Sequence, residues 1–270
     1  TCALPISLEQ QQLAQKLYEA WVHNKPLHRD TYIGVVNDFK TAYDVQDAVM
    51  AKKSEATAGY KVSLTSPETQ AMFDTDAPLY GAQVASRFVT SPYTLDLTKY
   101  NEPLVEVELQ FTAKADLTPE MSLTDLLANT TVAPTLEVPD ARFKNWFPKL
   151  DKFLVLSDSA VGGAVVSARP RDGKQMTVDD LATVEATLYH NGDKVASGFG
   201  SEVLGNPLES LQWLVTKLAS QGKLFKAGTR ATTGTFLLPP TLRIGEWRAT
   251  FTGGFSDVVL NVVTEVSANA

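Results

Sequence analysis

Residues 103–109, PLVEVEL, alternate apolar and acidic side chains from Val105 onward. Alternation with a period of two predicts a β-strand, in which Glu106 and Glu108 project from the same face. Neighbouring carboxylates on one face of a sheet repel each other unless solvent or a cation relieves the repulsion. The pair therefore has two interpretations. These two residues alone favour a solvent-facing strand edge, and the other interpretation is part of a site for a hard divalent cation.

A third carboxylate, Glu137, lies at the end of a short apolar run, residues 133–138 (APTLEV). With this additional oxygen ligand, a metal site and an exposed strand edge explain the pattern equally well. The residues alone do not show that Glu106, Glu108 and Glu137 converge.

Lys61 stands alone in an otherwise apolar, glycine-led run, residues 59–65 (GYKVSLT). A lysine beside a metal-bound substrate can donate a proton to an oxyanion or accept one, particularly if burial lowers its pKa. A surface lysine whose aliphatic stem covers apolar side chains fits the same pattern. Without further context, the surface lysine is the favoured interpretation.

Short β-rich runs separated by Gly, Pro and Asp follow one another from Gly59 onward. Asn191-Gly192, a preferred pair for a type I′ turn, predicts a hairpin between residues 184–190 and 194–199. The other predicted strands are residues 104–112, 153–156, 161–167, 229–233, 247–251 and 257–263. We therefore predict an N-terminal helical segment, 1–58, and a β-rich body, 59–270, integrated into one α+β domain.

Three helices have recognisable boundaries or periodicity. A Ser-x-x-Gln capping box at Ser7 begins the first, and apolar residues then recur at intervals of four. The second covers about residues 41–55. For the third, Asn206 is the expected N-cap, Pro207 the first helical residue, and Gly222 the stop.

Composition and charge argue against several classes of protein. The formal net charge is -7 with no dense Lys/Arg cluster, so a nucleic-acid partner is not expected. No apolar run approaches the roughly 20 residues that span a bilayer, so we expect no membrane role. Cys2 is the only cysteine, which excludes an internal disulfide and a thiolate zinc site. A chain without disulfides fits a reducing compartment, so we expect a cytoplasmic protein.

Nucleotide chemistry and serine-hydrolase chemistry also lack their sequence motifs. The chain contains no G-x-G-x-x-G opening a βαβ unit and no P-loop. None of His23, His28 and His190 accompanies a nucleophile motif, which argues against a Ser–His–Asp hydrolase.

Taken together, a series of short motifs resembles the 2-keto-4-pentenoate hydratase and 2-oxo-enedioate decarboxylase branch of the fumarylacetoacetate hydrolase superfamily. Each motif is weak alone, but they occur in the family's order and at its spacing from roughly residue 7 to 263. The matching stretches are residues 59–66 (GYKVSLTS), 76–81 (DAPLYG), 105–108 (VEVE), 134–138 (PTLEV), 198–207 (GFGSEVLGNP), 213–214 (WL) and 233–234 (TG).

The resemblance implies a fold, a cofactor and site residues. The fold would be a mixed β-sandwich roll with an N-terminal helical segment and peripheral helices, assembled into homo-oligomers. Carboxylates matching Glu106, Glu108 and Glu137 would bind Mg²⁺ or Mn²⁺. A small 2-oxo or 2-enol acid would chelate this metal, and the metal would stabilise the enolate that forms during the reaction. Lys61 occupies the position of the family's active-site lysine and would be a general acid/base or oxyanion partner. The expected substrate-binding residues are Ser63, Leu64, Asp158, Thr233 and Gly234.

The chain also departs from the family pattern. Ser63 replaces a glycine, and Ser159, Asn206 and Thr229 replace other usual residues. Asn206 is itself a good N-cap, so the helix that follows should still form. Arg230 can meet a second substrate carboxylate or form a surface ion pair, and we favour the ion pair.

The first functional hypothesis is a metal-dependent lyase that adds water to a 2-hydroxy-2,4-dienoate. The second is decarboxylation of a 2-oxo-enedioate, which also proceeds through a metal-bound enolate. A catalytically weakened, oxo-acid-binding paralogue is a third hypothesis. Hydrolysis of an acylpyruvate is a fourth, and the N-terminal helical segment argues against it.

Overall fold

The computed structural model describes residues 5–265, which form seven α-helices and thirteen β-strands. The helices are α1 (Leu8–His23), α2 (Phe39–Lys52), α3 (Pro67–Met72), α4 (Leu123–Ala128), α5 (Lys152–Ser157), α6 (Val178–Thr183) and α7 (Pro207–Ser220). The strands are β1 (Thr57–Ser63), β2 (Leu79–Val84), β3 (Phe88–Thr90), β4 (Tyr93–Asp96), β5 (Glu106–Ala113), β6 (Thr130–Val138), β7 (Ala164–Ser167), β8 (Arg171–Asp172), β9 (Glu185–His190), β10 (Asp193–Phe199), β11 (Arg230–Thr232), β12 (Gly245–Phe251) and β13 (Val258–Val263).

An eight-stranded mixed sheet carries the Glu-x-Glu strand. Its order is β2-β1-β11-β5-β6-β7-β3, with β8 paired to β6. Strands β1 and β11 run parallel, as do β3 and β7, and the other pairs are antiparallel. Strand β5 lies inside the sheet between β11 and β6, so the Glu-x-Glu pair is not on a strand edge.

A second, five-stranded sheet has the order β10-β9-β12-β13-β4. The predicted Asn-Gly hairpin joins β9 to β10, and Asn191 and Gly192 have the positive φ angles of 51° and 86° that the turn requires. Strand β13 contacts β6 and β7 of the first sheet, and apolar side chains of both sheets belong to one buried cluster. These features confirm the predicted mixed β-sandwich roll.

The N-terminal helices pack on the β-rich body. Helix α1 begins with the predicted capping box at Ser7, and α2 begins at Phe39 with Asp38 as N-cap. Gln46 is buried in α2, and its amide hydrogen-bonds the backbone of Tyr80, Ala82 and Leu156. The division of the chain into residues 1–58 and 59–270 stays a prediction. Residues 1–4 and 266–270, at the ends of these two segments, lie outside the described residues.

Two strand predictions need correction. Residues 153–156 lie in helix α5, since Asp151 accepts a hydrogen bond from Phe153 N at 2.9 Å and caps the helix. A short apolar run does not distinguish a strand from a buried helical turn by periodicity alone. The strand predicted at 161–167 begins only at Ala164, because Ser159–Val161 form a tight turn with positive φ angles.

Within residues 5–265, none of the helices combines the length and hydrophobicity that a bilayer crossing requires.

Candidate active site

Three carboxylates converge on the polar face of the eight-stranded sheet. The β5–β6 register places Glu106 opposite Glu137, and the strand period places Glu108 on the same face as Glu106. One carboxylate oxygen from each glutamate lies within 4.8 Å of the other two. Glu108 and Glu137 are each 1% exposed, and Glu106 is half-buried. The cluster offers three oxygen ligands of the kind that a divalent cation prefers.

Strand β11 and the residues after it hold these carboxylates in place. Thr232 Oγ1 donates a hydrogen bond to Glu137 Oε1 at 2.6 Å. The Gly234 N–H donates to Glu108 Oε2 at 2.9 Å, and Thr233 Oγ1 donates to the Leu109 carbonyl at 3.1 Å. Sequence reasoning missed Thr232, although the alternation of β11 puts it on the face of its partner Lys61.

Gly234 must be glycine at this position. Its φ angle is 120°, and an added Cβ would lie 2.1 Å from Thr65 Oγ1. Only glycine adopts this backbone conformation readily and leaves space for the threonine. The close approach directs the Gly234 amide at Glu108.

Lys61 reaches the same cluster from β1. Its Nζ lies 2.7 Å from Glu137 Oε2, and its side chain is only 3% exposed. The structure therefore excludes the surface-lysine interpretation. Burial alone would lower the pKa of Lys61, but the nearby charges of Glu137, Glu106 and Glu108 outweigh it and raise that pKa.

The charge of the cluster is unbalanced. Burial, reinforced by Glu137 and opposed by Lys61, raises the pKa of Glu106 to about 7, and burial raises the pKa of Glu108 well above its usual range. Two ionised carboxylates whose oxygens lie within 4.8 Å of each other repel each other by at least about 3 kcal/mol at an effective dielectric constant of ~20. Glu137 Oε2 is buried and accepts no well-directed hydrogen bond, although Lys61 Nζ is close. Lys61 balances one of the three negative charges, and a divalent cation would balance the other two.

A cavity opens onto Glu106, Glu108 and Lys61, whereas Glu137 does not line it. Ser63, Leu64 and Gly234, three of the predicted substrate-binding residues, line it. The free volume is about 50 Å³, room for a few water molecules.

Leu64 has an unusual backbone in this lining. Its φ angle is 59°, and Gln70 Nε2 donates a hydrogen bond to its carbonyl at 2.9 Å. A non-glycine residue in the left-handed region persists only where its surroundings hold it, as at ligand-binding sites.

The rest of the cavity wall is mostly apolar. Its side chains come from α3 and the residue after it, the residues before β5, the loop before α5 and α5 itself. The principal contributors are Phe73, Leu104, Trp146, Phe147, Val155 and Val161. Sequence reasoning did not identify them, because apolar residues from separate parts of the chain carry no signal of their shared position.

Thr233 and Asp158 do not line the cavity. Asp158 is buried, and its two carboxylate oxygens accept from Arg142 Nε at 2.7 Å and Arg142 N at 2.8 Å. Burial raises the pKa of Asp158, and Arg142 opposes that rise. The predicted substrate-binding roles of Asp158 and Thr233 stay predictions.

We expect Asp158→Ala to lower the free energy of unfolding by about 3–5 kcal/mol, because it leaves the Arg142 guanidinium buried without its partner. Asp158→Asn keeps an acceptor for the Arg142 backbone N–H and should cost less. Urea unfolding of both variants measures the difference. Unchanged stability with a large loss of activity would instead assign Asp158 to the substrate.

The surface ion pair expected for Arg230 is wrong. Among residues 5–265, Arg230 forms no ion pair, and its guanidinium carbon lies 5.1 Å from the centroid of the Phe88 ring. Arg230 also lines a different cavity, together with Arg169 and Gln110.

No protein-family model matches the chain, but curated relatives do. The chain is 30% identical over 229 residues to the 4-oxalocrotonate decarboxylase of Pseudomonas putida, covering 82% of this chain and 84% of the relative. It is 30% identical over 230 residues to the 2-keto-4-pentenoate hydratase of Burkholderia vietnamiensis, covering 82% and 85%. It is 32% identical over 215 residues to the 2-oxo-hept-4-ene-1,7-dioate hydratase of Escherichia coli, covering 76% and 79%.

A solved structure shows the same fold. The 4-oxalocrotonate decarboxylase from Pseudomonas putida G7, complexed with magnesium and adipate, superimposes with a TM-score of 0.87 at 28% identity, covering 94% of this chain and 97% of that one. The sandwich roll and its buried acidic site define an enzyme of the fumarylacetoacetate hydrolase-like class. The chain belongs to the 2-keto-4-pentenoate hydratase and 4-oxalocrotonate decarboxylase family of that class, whose members are metal-dependent lyases with small-molecule substrates.

Proposed function

We propose that the protein is a hydratase that adds water to a 2-hydroxy-2,4-dienoic acid with the help of Mg²⁺. One observation carries the proposal: Glu106, Glu108 and the buried Lys61 line a cavity whose other walls are largely apolar, and Glu137 completes their carboxylate cluster. The polar cluster suits the acid and 2-oxygen end of such a substrate, and the apolar walls suit its hydrocarbon part.

The donor set fits a divalent cation. Glu106, Glu108 and Glu137 supply hard oxygen ligands, and the buried Glu137 Oε2 lacks a well-directed hydrogen bond. The relative of known structure is complexed with magnesium in one case and calcium in another. When bound, the metal supplies Lewis-acid stabilisation of the negative charge that develops on the substrate. Mn²⁺ suits the same ligands.

Lys61 provides the proton chemistry in this proposal. The reaction moves the enol proton from the 2-oxygen to C5, and water then adds its hydroxyl to C4 and its proton to C3. Pairing with Glu137 at 2.7 Å holds Lys61 as an ammonium, which can donate a hydrogen bond to the developing oxyanion or a proton to the substrate. The mostly apolar walls of the cavity limit bulk water around these groups.

Decarboxylation is the second candidate, and some of the relatives support it. Both the structure with the TM-score of 0.87 and a 32% identical relative from Pseudomonas sp. (strain CF600) are 4-oxalocrotonate decarboxylases. The two reactions differ in whether water adds or CO₂ leaves, and the same carboxylate and lysine cluster could serve either.

An ultraviolet assay of dienol-acid consumption tests the proposal. We expect consumption with Mg²⁺ or Mn²⁺, loss of activity in EDTA, and recovery when Mg²⁺ is restored. Product analysis separates a 4-hydroxy-2-oxo acid from released CO₂. Activity unaffected by chelation would overturn the metal mechanism, and binding without turnover would indicate an oxo-acid-binding paralogue.

We also propose a cytoplasmic homo-oligomer. The family resemblance supports the oligomer, and the presence of a single cysteine supports a reducing compartment.

A further inference from the structure

We infer that the cavity selects substrates whose tail is apolar and discriminates against a second carboxylate at the far end. The inference rests on the part of the proposed function that puts a 2-oxo or enol acid at the carboxylate cluster. An acid bound there must direct its tail toward the remaining walls of the cavity.

Phe73, Trp146 and Phe147, the aromatic wall, form part of that remainder. The Phe73 and Phe147 ring centroids are 6.4 Å apart, and those of Trp146 and Phe147 are 5.5 Å apart. The one polar group of the wall is occupied, because Trp146 Nε1 donates to the Glu102 carbonyl at 2.8 Å. The aromatic wall therefore presents carbon surface to a substrate tail.

The available hydroxyls lie at the other end of the cavity. Ser63 is two residues from Lys61 on β1, and Thr65 Oγ1 approaches Gly234, whose N–H bonds Glu108. Thr69 is engaged with Ser66. Thr235 Oγ1 is engaged too, since it donates to the Leu237 carbonyl. The hydroxyl groups available to a substrate therefore lie at the end of the cavity that contains the carboxylate cluster.

Within residues 5–265, the cavity lining offers no unpaired cation to a second carboxylate. Of the described residues that line the cavity, Lys61 alone is cationic, and it is paired with Glu137. The neighbouring Arg142 is bound by Asp158 and the Gly162 carbonyl.

Two further cations are also committed elsewhere. Lys152, next to the lining, bonds the Asp74 carbonyl and carboxylate. Arg230, which the sequence offered for this role, stacks on Phe88 and lines a different cavity. A carboxylate transferred from water to the aromatic wall would therefore lose its hydration without gaining a partner.

This selectivity would separate the protein from decarboxylases of 2-oxo-enedioates, whose substrates carry two carboxylates. The structurally similar 4-oxalocrotonate decarboxylase is complexed with adipate, a dicarboxylic acid. The matched substrates are 2-hydroxyhexa-2,4-dienoate and 2-hydroxyhexa-2,4-dienedioate. They differ only at C6, which is a methyl group in the first and a carboxylate in the second.

Calorimetric binding of two stable acids in saturating Mg²⁺ tests the inference. The compounds are 2-oxohexanoate and 2-oxoadipate, which share a chain length and differ only in a terminal methyl group or carboxylate. We expect 2-oxohexanoate to bind at least about 10-fold more tightly to the wild-type protein. Phe73→Arg should shrink or reverse that ratio, and Phe73→Leu should preserve it. Phe147→Arg provides a second cation-adding variant in case the first does not fold.

Equal or tighter binding of 2-oxoadipate to the wild-type protein would overturn the inference, as would an unchanged ratio in folded arginine variants. Parallel turnover assays with the two matched dienol acids keep the proposals apart. A binding preference without turnover of either acid would refute the hydratase proposal and leave the selectivity standing. Failure of both 2-oxo acids to bind would refute the selectivity together with the placement of the substrate.

Discussion

Glu108→Gln should lower kcat/KM for a dienol acid by about 10³-fold or more and remove the stabilisation of the protein by Mg²⁺. Glu108 is 1% exposed and lies with two other carboxylates in one cluster. The amide keeps the shape and can still accept from the Gly234 N–H, but it lacks the negative charge that attracts the cation. Losing several kcal/mol of metal-supplied charge stabilisation corresponds to a rate loss of that size.

Thermal unfolding in Mg²⁺ and in EDTA provides the readout that does not depend on activity. At a Mg²⁺ concentration 100 times its Kd, the wild-type protein should gain about 2.7 kcal/mol of stability, which appears as a higher Tm. Glu108→Gln should lose that shift but be at least as stable as the wild type in EDTA, since one repelling carboxylate is gone. Glu68→Gln, a matched change at an exposed residue of α3, should behave as the wild type. A full Mg²⁺ shift in Glu108→Gln would rule out Glu108 as a ligand.

Lys61→Met should lower kcat by about 10²- to 10⁴-fold, the usual contribution of a positioned proton donor or acceptor. Methionine fills a similar buried volume and removes the ammonium that lies 2.7 Å from Glu137 Oε2. Removing a positive charge beside Glu137, a proposed metal ligand, should leave Mg²⁺ affinity unchanged or increase it. The variant therefore separates proton chemistry from metal binding.

Steady-state kinetics and Mg²⁺ titration of the same Lys61→Met preparation measure the two effects. Lys223→Met is the control, because Lys223 also pairs with a carboxylate at 2.7 Å, that of Asp47, but lies outside the cavity. We expect the control to keep its kcat. A Lys61→Met enzyme with a kcat within a few-fold of wild type would refute the catalytic role. Loss of Mg²⁺ binding in the titration would instead make Lys61 a structural support of the metal site.

Structural features that depend only on residues close together in the sequence were predictable. The alternation in PLVEVEL places Glu106 and Glu108 on one face of β5, because side chains of a strand alternate with a period of two. The hairpin at Asn191 and the N-cap at Asn206 likewise follow from local backbone and hydrogen-bonding preferences. The ordered series of motifs indicated the family, which the curated relatives and the solved structure confirm.

Local pattern alone did not settle which short apolar segments are strands. Residues 153–156 form part of a helix, because Asp151 caps their backbone and a single apolar turn satisfies either geometry. The Asp151 cap is a local signal, whereas the burial of this run depends on the surrounding fold.

The PLVEVEL strand by itself determined that two carboxylates share a face, and it left open what that face meets. Only the tertiary structure placed β5 inside a sheet, paired Glu106 with Glu137 across the β6 register, and brought Lys61 from β1 into contact with Glu137. The aromatic wall arose in the same way, from segments far apart in the chain. Strand order and register join distant residues through contacts that a local pattern does not contain, whereas the direction of a side chain along one strand follows from its backbone geometry.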